Sequence, residues 1–134
     1  MTAKKNLKRF FDPRNVAVVG ASATKGRPGR VVIENMRANG YTGNIYPVNP
    51  RGGRLMGLKV YKTIEDLPSG IDLAIVILAA QATPQAVRDC AARKIGSIVL
   101  VAGGFAEVDH AGEDLQEELA RAARETGEIG RAHV

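Results

Sequence analysis

The sequence predicts an α/β fold, a mostly parallel and doubly wound sheet, from three observations. Short apolar, β-branched runs alternate with amphipathic helical segments along the chain. The run Leu73-Ala74-Ile75-Val76-Ile77-Leu78 is continuously apolar, as a parallel strand covered on both faces must be. Three predicted strands end in small-residue loops, Gly20-Ala21-Ser22, Asn49-Pro50 and Gly103-Gly104, and such loops converge on one crevice in this architecture.

The elements follow in order. Asn15 to Gly20 reads as the first strand. Pro28 or Gly29 to Asn39 reads as a helix with Val32, Ile33 and Met36 on one face; Pro28 suits its first turn and Gly40 its C′ position. Asn44 to Val48 is the second strand, stopped by Asn49-Pro50-Arg51-Gly52-Gly53. Leu58 to Tyr61 reads as a short strand, and Thr63 to Leu67 as a helical turn broken at Pro68. Asp72 to Leu78 is the central buried strand. Thr83 is expected to cap a helix with Pro84 at its first position and Val87, Cys90 and Ala91 as its buried stripe. Ser97 to Ala102 is the next strand, running into Gly103-Gly104-Phe105. A last helix spans about Gly112 to Thr126, with Leu115, Leu119, Ala122 and Ala123 on its core face. Its acids lie early and its arginines late, matching the helix dipole.

These βα units make the predicted fold Rossmann-like. Residues 1–9 read as a basic N-terminal extension and residues 10–127 as the domain. The final helix should feed one more strand, and the chain instead continues Glu128-Ile129-Gly130-Arg131-Ala132-His133-Val134. That heptapeptide back-translates to the start of a common sequencing adapter, so residues 128–134 are expected to be a non-native tail and His133 to have no role. The domain is therefore expected to lack its last strand, leaving a bare sheet edge, marginal stability and a tendency to associate.

Composition narrows the function classes. The 134 residues suit one domain with a real core, and 45% hydrophobic with 25% charged residues excludes gross disorder. No apolar run approaches the roughly 20 residues that cross a bilayer, and no h-region follows Met1-Thr2-Ala3-Lys4-Lys5; cytoplasm is the expected location, with no membrane partner. A single cysteine, Cys90, cannot form an internal disulfide and reads as an inert buried thiol; no metal-ligand cluster accompanies it. The net charge is +5, and the bases are grouped. Lys4, Lys5, Lys8 and Arg9 lie at the N-terminus, Lys25, Arg27 and Arg30 at the first loop, and Arg51 and Arg54 at the second. The last two groups follow predicted strands, which points to an anionic small molecule. Aromatic content of 4% and the lack of a recognition motif argue against nucleic acid.

The first loop suggests the class of anion. A glycine-lined turn ahead of a helix N-terminus offers backbone N–H groups and a positive dipole end to phosphate, so the ligand reads as a phosphorylated nucleotide. The dinucleotide fingerprint fails, because Ser22 stands where glycine is needed and Asn49-Pro50 where a ribose-binding acid is needed. The P-loop fails as well: five residues separate Gly20 from Gly26, and Arg27-Pro28 replaces Lys-Ser/Thr. No catalytic residue emerges. Ser22 has no His or acid placed to activate it, and Glu107 and His110 read as surface groups.

Four blocks occur in order: Val16-Ala17-Val18-Val19-Gly20-Ala21-Ser22, Gly43-Asn44-Ile45-Tyr46-Pro47-Val48-Asn49-Pro50, Gly57-Leu58-Lys59-Val60-Tyr61 and Gly103-Gly104-Phe105-Ala106-Glu107. Together they resemble the CoA-binding domain of nucleoside-diphosphate-forming acyl-CoA synthetases, above all the N-terminal part of ADP-forming acetate–CoA ligases, relatives of the succinyl-CoA synthetase α subunit. The resemblance covers about Phe10 to Gly127. It implies that Gly20, Ala21, Ser22, Ala23, Thr24 and Lys25 wrap the nucleotide phosphates of CoA, and that Arg51, after Asn49 and Pro50, pairs with a CoA phosphate. Leu78, Ala79 and Ala80 would line the passage of the pantetheine arm, where the family often has a proline that this chain lacks. Ala102, Gly103 and Gly104 would approach the thiol end through their backbone.

The reaction implied by the resemblance interconverts acyl-CoA, ADP and phosphate with a carboxylate, CoA and ATP, through an acyl phosphate and a phosphohistidine in a following domain. ATP, ADP and Mg would belong to the full-length enzyme, whose further parts would be downstream ligase and ATP-grasp domains or a β subunit. This chain alone would bind CoA and catalyse nothing. The alternatives are a regulatory CoA- or nucleotide-sensing domain of a protein acetyltransferase, a stand-alone CoA-binding protein and, disfavoured by Ser22 and Asn49, an NAD-binding domain.

Overall fold

A computed structural model of the chain describes residues 12–101 and the strand Ala132–His133. Five parallel strands form one sheet in the order β2-β1-β5-β6-β7, where β1 is Asn15–Val19, β2 Asn44–Val48, β5 Leu73–Val76, β6 Ser97–Leu100 and β7 Ala132–His133. A two-residue antiparallel ladder of β3 (Arg54–Leu55) and β4 (Leu58–Lys59) stands beside it. Helices α1 (Pro28–Ala38) and α2 (Thr83–Ala92) complete the described layers.

Alternation along β1 explains the double winding. Ala17 and Val19 face a core that also holds Ala74, Val76, Ile98 and Leu100, closed by Ala86, Val87 and Cys90 of α2. Val16 and Val18 face the opposite core with Ile45 and Leu73, closed by Ile33 of α1. A strand with apolar groups on both faces can be stable only between two helical layers. On α2 the expected stripe shifts slightly, with Ala86 buried and Ala91 half-buried.

Register is pinned at the strand entrances. Val16 pairs with Ile45 on one side and with Leu73 on the other. The Asp72 carboxylate accepts from the backbone N–H groups of Arg14 and Asn15 at 2.9 and 3.0 Å, which ties the start of β1 to the start of β5. The outer edge of β2 is closed differently. Pro47 has no N–H to offer there, its carbonyl accepts from Tyr61 N–H at 2.8 Å, and the Tyr61 carbonyl accepts from Asn49 N–H at 2.8 Å.

Several expectations are corrected. The segment Leu58 to Tyr61 is not one strand; Leu58–Lys59 pairs with Arg54–Leu55, and Tyr61 instead bridges Val48. Thr83 is not the cap of α2, because Ala82 occupies that position. The Thr83 hydroxyl is fully buried and donates to the Ala80 carbonyl at 2.6 Å, so it closes the preceding 3-10 turn Ala80–Ala82. The edge position expected to lack a strand holds Ala132–His133, whose backbone pairs with Ile98 and Val99. Any extended segment can satisfy the free N–H and C=O groups of an edge strand, whatever its side chains. The expected N-terminal extension, the last helix, Ala102, Gly103, Gly104, Phe105, Glu107 and His110 lie outside the described residues.

Candidate anion-binding cleft

Two loops at the C-terminal ends of β1 and β2 build the cleft. The first begins at Gly20, whose φ of +93° only glycine adopts readily. A Cβ there would lie 2.0 Å from the Ile77 carbonyl oxygen, so the turn hugs the end of β5. The N–H groups of Gly20 and Ala21 both donate to the Val48 carbonyl, at 3.0 and 3.2 Å. Further along, the Ser22 hydroxyl accepts from Thr24 N–H at 3.1 Å, and Arg30 donates to the Ala23 carbonyl at 2.9 Å while pairing with Glu34 at 3.0 Å. Arg30 is thus spent on holding the loop.

The loop delivers the chain into α1 with an open positive end. Arg27 sits at the cap with extended backbone and no side-chain capping bond, Pro28 follows, and the first turn carries no acid. Pro28 has no N–H, and those of Arg30 and Val31 donate to the Arg27 carbonyl at 2.9 and 3.0 Å, so what the helix head offers an anion is chiefly the positive end of its macrodipole, unopposed by an acid in its own first turn. Gly29 brings this end against the turn, since a Cβ on it would lie 2.1 Å from the Gly20 carbonyl oxygen.

Asn49 organises the second loop. Its Nδ2 donates to the Ala21 carbonyl at 2.7 Å, and its Oδ1 accepts from Arg51 N–H at 2.8 Å. Arg54 donates to the Gly57 carbonyl at 3.1 Å, which steadies its guanidinium on the β3–β4 turn. Between the loops lies a cleft of about 430 Å³, floored by Leu55, Val60 and Ile77 and flanked by Arg27, Arg51 and Arg54. No Asp or Glu lines it among the described residues. Three guanidinium groups, a helix N-terminus and two hydroxyls can hold phosphate groups. They supply no nucleophile–base pair, and no group of three or more potential metal ligands occurs among the described residues.

The structure brings together Gly20, Ala21, Ser22, Ala23, Thr24, Asn49 and Arg51 of the residues expected from sequence. Lys25 and Pro50 are exposed in the same loops without lining the cleft. Leu78 packs against the α2-side core and the Gly20 turn, Ala79 is exposed, and Ala80 is buried. The lining residues that the sequence reading left out are Arg27, Pro28, Gly29, Gly52, Arg54, Leu55, Val60 and Ile77. Arg27 and Arg54 carried a signal, since both belong to the base groups that follow β1 and β2.

The CoA binding domain family matches residues 14–130. The chain belongs to the CoA-binding domain family. This CoA-binding domain is 37% identical over 122 residues to an ADP-forming acetate–CoA ligase of Archaeoglobus fulgidus, covering 91% of this chain and 18% of that protein. It is 33% identical to the α subunit of ADP-forming acetate–CoA ligase I of Pyrococcus furiosus, covering 91% and 27%. Among solved structures it superposes on the dinucleotide-forming acetyl-coenzyme A synthetase 1 of Ca. Korarchaeum cryptofilum, in complex with phosphate and ADP, with a TM-score of 0.83 and 36% identity over 90% of this chain and 26% of that one. A Thermus thermophilus protein shares the fold over 91% of its own length, with a TM-score of 0.73 and 24% identity. The chain thus spans 18% and 27% of the length of these two curated ligases.

Proposed function

We propose that the cleft binds coenzyme A and that the chain is the CoA-binding unit of an ADP-forming acyl-CoA synthetase of the acetate–CoA ligase type. The observation that carries this reading is a cleft with no carboxylate among the described residues that line it, set between the Gly20 turn at the head of α1 and Arg51, in a chain of the CoA-binding family. Gly20, Ala21, Ser22, Ala23 and Thr24 cradle the diphosphate, with Lys25 at the rim. Asn49 and Pro50 carry Arg51 to a further phosphate of the ligand. Leu78, Ala79 and Ala80, which follow β5, are assigned to the pantetheine arm, and Ala102, Gly103 and Gly104 to its thiol end.

The activity of the whole protein is the interconversion of acyl-CoA, ADP and phosphate with a carboxylate, CoA and ATP. The domain's own part is to hold CoA and orient its thiol; phosphoryl transfer, with ATP, ADP and Mg, belongs to ligase and ATP-grasp domains or to a β subunit. On its own the chain binds and does not turn over, and its setting is the cytoplasm. A stand-alone CoA-binding protein is the second reading, favoured by a Thermus thermophilus chain of which this fold fills 91%.

Calorimetric titration with CoA, dephospho-CoA, NAD and ATP tests the reading. CoA should bind most tightly, and Arg51→Ala should weaken it about tenfold, the cost of one charge-assisted phosphate contact. A preference for NAD would overturn the assignment.

A further inference from the structure

We infer that Asn49 is a positioning residue, a clasp that assembles the cleft before ligand arrives. It stands at the end of β2, where dinucleotide-binding folds place the acid that accepts from ribose hydroxyls. Here one donor of Nδ2 and one lone pair of Oδ1 are already engaged by the protein. Nδ2 donates to Ala21 O at 2.7 Å and Oδ1 accepts from Arg51 N–H at 2.8 Å. The backbone N–H donates to Tyr61 O at 2.8 Å, and the backbone carbonyl accepts from Gly52 N–H at 2.9 Å. Each of its four polar atoms thus has a protein partner. Flipping the amide would set Oδ1 against a carbonyl and Nδ2 against an N–H, so the two neighbours select the orientation.

The partners belong to the two different loops that line the cleft. Ala21 belongs to the glycine turn, and Arg51 to the loop that carries the guanidinium. Asn49 therefore sets where the Arg51 backbone stands relative to the anion cradle. A loop ordered on folding loses less freedom when ligand arrives, and that is how a side chain raises affinity through the loop it holds. The clasp also leaves no carboxylate for a free ribose diol, which selects against nucleotides recognised in that way.

The inference rests on the reading that the cleft takes CoA, and a double-mutant cycle tests it. CoA is titrated into the unsubstituted chain, Asn49→Ala, Arg51→Ala and the double variant, each checked for fold by circular dichroism. Asn49→Ala should weaken CoA about tenfold, and adding Arg51→Ala should cost less than about twofold more, because Arg51 is already misplaced. Asn49→Asp, nearly isosteric, should bind no better than Asn49→Ala, since it sets a carboxylate oxygen against Ala21 O. A residue that only stabilises the fold would give losses that multiply; that result, or unchanged CoA affinity in Asn49→Ala, overturns the clasp while leaving the CoA reading intact. Hydrogen exchange supplies a readout without substitution. The Arg51 amide should be protected, and exchange at the rate of an unstructured peptide overturns the clasp as well. Failure of the unsubstituted, folded chain to bind CoA overturns the CoA reading and the inference with it.

Discussion

The Cβ position of Gly29 lies 2.1 Å from the carbonyl oxygen of Gly20, so the first turn of α1 and the end of β1 meet backbone to backbone. A methyl group at Gly29 must push the helix head away from the turn. Gly29→Ala should destabilise the chain by about 1–3 kcal/mol, the usual cost of overpacking, and weaken CoA binding through the displaced N-terminus. Gly20→Ala should cost more, because a contact of 2.0 Å with Ile77 O is joined by a φ of +93°. Urea unfolding of both variants ranks them; equal stability to the unsubstituted chain would refute the close approach.

The Asp72 carboxylate holds two backbone N–H groups across the mouth of β1 and β5. Asp72→Ala should cost about 1–2 kcal/mol, the lower range for hydrogen bonds to a charged group, because water can reach the exposed Arg14 donor. Amide exchange should show the loss concentrated at Arg14 and Asn15.

Burial, reinforced by the Asp89 charge, pushes the Cys90 thiol up from 9.0 to about 12. The native thiol should resist alkylation at mildly alkaline pH while the urea-unfolded chain reacts. Stability should be insensitive to this group below pH 9 and should fall between about pH 9 and 12, because there the unfolded chain releases a proton that the folded chain retains. Denaturation curves of Cys90→Ala should lack that part of the alkaline slope.

Arg27, Arg51 and Arg54 surround the cleft without carboxylate neighbours in its lining. CoA affinity should therefore fall several-fold when ionic strength rises about tenfold. Arg27→Ala and Arg54→Ala should each flatten that salt dependence. A salt-independent affinity would mean that the phosphates lie elsewhere.

The sheet was legible because its strands are nearly pure apolar runs. Val16–Val19 and Leu73–Val76 are apolar on both faces; the first ends at Gly20, whereas the second stops at Val76 although the apolar run continues through Ile77 and Leu78. The β3–β4 ladder was not legible as a pair, since two-residue strands carry no periodicity. Thr83 misled for a chemical reason. Ser, Thr and Asp favour caps by accepting hydrogen bonds, and a buried hydroxyl can equally donate backwards, as Thr83 does to Ala80. At the cleft, Gly20 and Arg51 were visible as residue types in the right places, whereas the floor of Leu55, Val60 and Ile77 depends on how the ladder folds back.

Pro47, with Tyr61 laid against it, makes one border of the sheet final. A proline cannot donate to a newcomer strand, so lateral growth on that flank is chemically stopped. Among the described residues the opposite flank of the sheet is β7, held by its backbone to β6. The architecture has a grain: it refuses additions on the flank next to the second loop of the cleft.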